Sequence, residues 1–217
     1  MKMYLFSLNL LWLVILVFNN AWAVEKNLHK VFAEHGNVYY VASDKTVQIT
    51  HTGKDKNPSL SPDNKTIAFV RTSDILVPKS CVHFAFTSDD YANQVWIYDI
   101  ATKKEKLLVK NNFLCDKLEE VIVDPEDLQF SPNSKILYFT TSAWVTSGAL
   151  HAANVDGTNL RYLAPANSYQ VVYNGKYKNR LIIQQHRYFS TTGEGSYDWY
   201  WLYTLQGKQI KTLGPMD

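Results

Sequence analysis

The chain has 217 residues, with 22 basic and 20 acidic side chains and a formal net charge of +2 at neutral pH. So even a balance leaves no electrostatic footprint for nucleic acid or for an anionic membrane surface. With 46% hydrophobic, 14% aromatic and only 19% charged residues, the composition excludes a disordered chain and suits a domain with a well-buried core.

The N-terminus reads as a signal peptide over residues 1–23. Lys2 is the basic start, Tyr4 to Phe18 is a mostly apolar core, and Ala21-Trp22-Ala23 is a small-x-small cleavage site. The apolar run falls short of the roughly 18–20 residues that a membrane span needs; an uncleaved anchor is the competing reading. Cleavage after Ala23 would leave residues 24–217 as a single domain, periplasmic or secreted, with no membrane span.

The strands then follow in order. Val31 to Glu34, the turn His35-Gly36-Asn37, Val38 to Val41, the turn Ser43-Asp44-Lys45 and Thr46 to His51 make a partial unit over 31–52. A full unit covers 57–109. In it the tight turn Ser61-Pro62-Asp63-Asn64-Lys65 precedes the β-branched and aromatic run Thr66 to Arg71, and Gln94 to Ile100 leads through Ala101-Thr102-Lys103-Lys104 into Glu105 to Val109. The order returns over 124–165, where Ser131-Pro132-Asn133-Ser134-Lys135 precedes Ile136 to Thr140, and more weakly over 168–214. Repetition of one four-stranded antiparallel unit is the mark of a β-propeller, in which each blade buries its apolar face against the next. The fold class expected is all-β: a small propeller-like array of about three to four four-stranded blades, at roughly 40–45 residues per repeat.

The same stretches carry a family resemblance. SLSPDNKTIAFVR followed by QVWIYDIATKKEKLL resembles the WD-like repeat of the TolB-like β-propellers, which also form the propeller domain of prolyl-oligopeptidase-type peptidases. The match is clear over 57–109 and weaker over 124–213. A TolB protein has more blades than this length allows and a separate N-terminal domain.

Propeller topology sorts the connections onto two faces. The turns Pro62–Lys65, Ala101–Glu105, Asp156–Asn159 and Gln206–Lys208 are short and share one face, while the long segments Ser73–Asn93, Lys110–Asp127 and His186–Ser196 share the other. Long loops on a rigid scaffold are where binding concentrates; tolerated insertion is the alternative. These segments hold His83, Phe84, Phe86, Tyr91, Phe113, Arg187, Tyr188 and Phe189, with Trp144 and Tyr197 at their margin, and these ten are the candidate partner-binding residues.

Cys81 and Cys115 are the only cysteines. Each lies in a long loop, and in an oxidising compartment they are expected to form a disulfide rather than free thiols or a metal pair. No catalytic, cofactor or metal site is assigned. Gly193-Glu194-Gly195-Ser196-Tyr197 puts its serine in the wrong place for a nucleophile elbow, and the six histidines are scattered without an i, i+4 pair. Asp124, Glu126 and Asp127 read as a solvated linker around Pro125 rather than a cation site. Asn64-Lys65-Thr66 is a glycosylation sequon, meaningful only in a eukaryotic secretory pathway. In the strand Tyr197 to Tyr203, alternation puts Tyr197, Trp199, Trp201 and Tyr203 on one side, where packing between blades is the favoured reading. Three functions are carried forward. The first is a non-catalytic exported binding module with a protein partner in the cell envelope. The second is a hydrolase or lyase acting on a glycan or peptidoglycan. The third is a structural subunit that completes its propeller with another chain, with homo-oligomerisation left open.

Overall fold

A computed structural model describes residues 29–81, 90–189 and 195–215. The signal-peptide reading, and candidates His83, Phe84 and Phe86, fall outside the described residues. Strands β1 (His29–Glu34), β2 (Asn37–Ala42) and β3 (Lys45–Gln48) form a three-stranded sheet. Three four-stranded antiparallel sheets follow. The first is β4 (Asp55–Leu60), β5 (Thr66–Leu76), β6 (Tyr91–Asp99) and β7 (Lys104–Val109). The second is β8 (Glu126–Phe130), β9 (Ile136–Trp144), β10 (Ser147–Asn154) and β11 (Arg161–Ala166). The third is β12 (Ser168–Val172), β13 (Arg180–Tyr188), β14 (Ser196–Thr204) and β15 (Gln209–Gly214). Each sheet runs in chain order, and β1, β4, β8 and β12 adjoin one another in succession. This is the up-and-down blade pattern of a propeller.

The apolar cores lie between sheets rather than within them. Val38, Ile67 and Phe69 join the first two sheets, with Trp96 and Tyr98 packed against them. Val70, Val95, Leu128, Phe130, Leu137 and Phe139 join the next two. Tyr138, Leu150, Tyr169, Val171, Leu181, Ile183 and Tyr203 join the last two. Among the described residues no apolar cluster joins β12–β15 to β1–β3.

The repeated turn is the same object twice. Ser61 and Ser131 are fully buried. Each donates its hydroxyl to the residue two ahead, Asp63 at 2.6 Å and Asn133 at 2.7 Å, and accepts the backbone N–H of Thr66 or Ile136 at 2.9 Å. Asn64 and Ser134 take the left-handed backbone that closes the turn. The preceding strands repeat too. Asn57 and Asp127 both have φ +51° at a register shift in β4 and β8, a conformation that short polar side chains tolerate.

Two strand pairs reach further than their sequence suggests. Ser73 to Asn93 reads as irregular, yet β5 runs on to Leu76 and β6 starts at Tyr91, with Leu76 opposite Tyr91. The polar side chains at this end bond across the pair: Ser73 Oγ donates to the Ala92 carbonyl at 2.6 Å, and Thr72 Oγ1 meets Asn93 Oδ1 at 2.8 Å. Likewise His186, Arg187 and Tyr188 belong to β13 rather than to a loop, and Tyr188 pairs with Ser196.

Candidate functional site

The long-loop face is built on borrowed contacts. The strand β5–β6 insert and the β7–β8 linker are tied by the Cys81–Cys115 disulfide, with Cα atoms 5.2 Å apart. Beneath it Val77, Cys81, Ala92, Val121 and Val123 form a satellite core of their own. Phe113 packs against that core, so this candidate anchors its loop rather than offering a free ring. Main-chain bonds reinforce the tie: Asn93 N–H donates to Val123 O at 2.6 Å, and Asn112 and Ile122 exchange bonds at 3.1 and 2.9 Å. The Asn111 side chain donates to Asn93 O at 2.6 Å.

His151 pins the same linker to the second sheet. Its ring stacks on Phe139 at 5.2 Å and is buried. Thr141 donates its hydroxyl to Val121 O at 3.1 Å, so at 3.0 Å it accepts from His151 Nε2, which fixes the protonated nitrogen of the neutral ring. Burial pushes the His151 pKa down from 6.5 to about 4. Asn112, Glu119, Glu120, Arg161 and Tyr162 line a cavity of about 360 Å³ beside it.

A second cavity, of about 400 Å³, opens where the second and third sheets meet on this face. Asp124, Glu126 and Asp127 form one wall, the β9–β10 hairpin with Trp144 another, and Asn167 the edge towards β12. The expectation of a solvated linker fails at Asp124. It is half-buried, and it accepts from the Ser142 N–H at 3.0 Å and from the Ser142 hydroxyl at 2.5 Å. Burial outweighs those bonds and raises its pKa above the usual carboxylate value. The signal missed in the sequence was the flanking apolar run Val121 to Val123, which draws the linker into the core. Among the described residues no cluster of three or more His, Cys, Asp or Glu side chains is arranged to hold a metal ion.

Four of the remaining candidates, Arg187, Tyr188, Phe189 and Tyr197, gather at one end of the third sheet. Phe189 packs on Tyr197 at 5.0 Å, and Tyr197 on Trp199 at 4.9 Å. Tyr188 meets His186 edge-on at 5.2 Å and is 62% exposed. Arg187 is spoken for: its guanidinium lies 3.7 Å from the Trp201 ring centroid and bonds Gln185 Oε1 and Gln209 Oε1. The aromatic strand therefore divides. Trp201 and Tyr203 pack between sheets as expected, while Trp199 stays partly open. Tyr91 stands apart from this group, exposed at the start of β6, and Trp144 lies in the cavity wall, edge-on to Tyr162 at 6.3 Å.

No protein-family model matches the sequence, and no curated protein matches it. Solved structures do share the fold. The dipeptidyl peptidase 4 of Porphyromonas gingivalis superposes with a TM-score of 0.59 at 12% identity, over 87% of this chain and 31% of that one. A putative TolB from Agrobacterium tumefaciens gives 0.51 at 14% identity, over 82% and 56%, and TolB from Acinetobacter baumannii gives 0.50 at 12%, over 85% and 40%. The chain thus spans less than two thirds of each of these proteins. At such identities the likeness concerns architecture, and the architecture is that of a TolB-like β-propeller.

Proposed function

We propose that this chain is an exported, non-catalytic binding module that holds a protein partner in the cell envelope through its long-loop face. The observation that carries the reading is the group of exposed rings Tyr188, Phe189 and Trp199 at that end of the third sheet, with the partly buried Tyr197 packed between Phe189 and Trp199. Rings of this kind carry most of the energy in protein interfaces when they stand beside a pocket. The disulfide and the apolar leader-like stretch Tyr4 to Phe18 support an extracytoplasmic setting.

The test is partner capture by crosslinking and co-purification from the native envelope. Tyr188→Ala, Phe189→Ala, Tyr91→Ala and Trp144→Ala are compared with Lys104→Ala, Asn159→Ala and Lys208→Ala on the opposite face. At least one change in the first group weakens capture about tenfold, or 1.4 kcal/mol, with the fold intact. Loss confined to the second group would refute the reading. Arg187→Ala is not a clean probe, because Arg187 covers Trp201.

A further inference from the structure

The three-stranded sheet has an unusual polarity. The Gly36 carbonyl accepts from Asp55 N–H at 2.8 Å, so the β1–β2 turn sits on the long-loop face where β4 begins. Strand β1 therefore runs towards that face, while β4 and β8 run away from it. In direction β1, β2 and β3 match the second, third and fourth strands of a blade, and among the described residues the first has no counterpart. Among those residues β1 is an edge of its sheet.

The hydrogen-bonding pattern of that edge can be worked out. His35 and Gly36 both have positive φ, at 48° and 71°, which makes a two-residue type I′ turn flanked by the bonded pair Glu34 and Asn37. Alternation then gives bonded pairs Phe32 with Tyr39 and Lys30 with Val41. The Ile49 N–H bond to Val38 O at 2.9 Å confirms the phase on the other side of β2. His29, Val31 and Ala33 consequently point their N–H and C=O groups outward from the sheet.

We infer that this edge pairs with the same edge of a second copy of the chain, β1 antiparallel to β1 about a two-fold axis at Phe32. An antiparallel pairing must match outward-pointing residues with each other, so only alternate registers are allowed. Centring on Phe32 sets Val31 against Ala33 of the other copy, and the reverse, as bonded pairs. It sets Phe32 against Phe32 and Lys30 against Glu34 between them. The registers one step either way place Phe32 opposite Lys30 or Glu34. Only the Phe32 register satisfies both charges, twice over by symmetry.

The side chains are placed for this. Lys30 and Glu34 are exposed, and among the described residues neither takes part in an ion pair. Phe32 is 39% exposed and stacks on Tyr39 at 5.1 Å, so the pairing would line up four rings on one face. Charged residues on an edge strand usually discourage pairing with other chains. Here their order along the strand is self-complementary and discourages every partner except another copy.

The experiment measures the mass of the purified, disulfide-bonded protein in solution by sedimentation at micromolar concentrations. Wild type is expected to be a dimer. Lys30→Glu alone and Glu34→Lys alone place like charges together at both ends, and each weakens the dimer at least tenfold. The equimolar mixture of the two variants restores complementarity and dimerises again, which also shows that neither variant is misfolded. Phe32→Cys crosslinks to itself under oxidation, since residues at such a non-bonded pair lie about 4.5 Å apart at Cα, within disulfide range. A wild type monomeric at about 100 μM, far above the micromolar range, overturns the proposal. So does a dimer that the charge changes leave intact, or capture of a different protein's strand by β1 with no self-association. The proposal does not depend on the long-loop face, and the β1 variants leave partner capture there unchanged.

Discussion

The two faces of the propeller treat their carboxylates in opposite ways. On the short-turn face Asp99 and Asp156 are fully exposed, and hydrogen bonds from Thr102 and Thr158 hold their pKa values below the ordinary 3.8. Asp63 is exposed too, and bonds from Ser61 and Lys65 outweigh its partial desolvation and lower it as well. On the long-loop face Asp124 is shifted up, because burial outweighs its bonds to Ser142. The difference is one of self-sufficiency. A short turn satisfies its own polar groups within a few residues and needs nothing from the rest of the chain. A long insert must borrow: a disulfide, a satellite core, a buried histidine and a half-buried carboxylate. Borrowed parts can carry function, and they are also where stability is most easily removed.

Breaking the covalent loan should have the largest effect. Cys81→Ser with Cys115→Ser opens a loop of sequence separation 34 and is expected to cost about 3–4 kcal/mol in the chain-entropy model. The urea midpoint should fall while the far-ultraviolet circular dichroism stays that of an all-β chain. Unchanged stability would mean that the satellite core around Val77 and Val121 holds the insert without the bond.

His151 comes next. Its folded pKa of about 4 lies below the ordinary 6.5, so the neutral ring contributes fully above pH 6.5. As pH falls from 6.5 towards about 4 the unfolded chain takes up the proton first, and roughly 3 kcal/mol of stability is lost. Denaturant melts at stepped pH should show this slope. His151→Phe, which keeps the stack on Phe139, should flatten it at some cost from the lost Thr141 bond.

The short-turn face supplies the internal control. Ser61→Ala and Ser131→Ala each leave a backbone N–H, that of Thr66 or Ile136, without its 2.9 Å partner and should each cost about 1–2 kcal/mol. Near-equal losses would support the equivalence of the two turns. A larger loss at Ser61 would be traced to the second backbone bond that its hydroxyl accepts, from the Lys65 N–H at 3.2 Å.

Asp124 sharpens the contrast with the smallest effect. A raised folded pKa stabilises the folded state as pH falls towards that value, and the contribution is lost as pH rises through it. Asp124→Asn should remove this component. Asp99→Asn or Asp156→Asn should act in the opposite sense, deleting stability that is present above pH 3.8 and lost as pH falls. Shifts of the same sign at both faces would undo the comparison.

Local sequence was enough for the repeating parts. Pro62 and Pro132 with short polar neighbours specify a turn wherever they occur, and the runs Thr66 to Val70 and Ile136 to Thr140 specify a strand by period and β-branching. The order of those signals implied the propeller and the sorting of loops onto two faces, and the presence of only two cysteines implied their pairing. Their physics is short-range, so it is written into neighbouring residues. Tertiary structure alone decided the rest. It carried β5 and β13 past the polar residues that seemed to end them, through cross-strand bonds such as Ser73 to Ala92 O. It turned Phe113 and Arg187 inward as anchors, left Tyr188 and Trp199 open, and buried half of Asp124. Each of those outcomes depends on what lies across a sheet interface, at separations that no local pattern records.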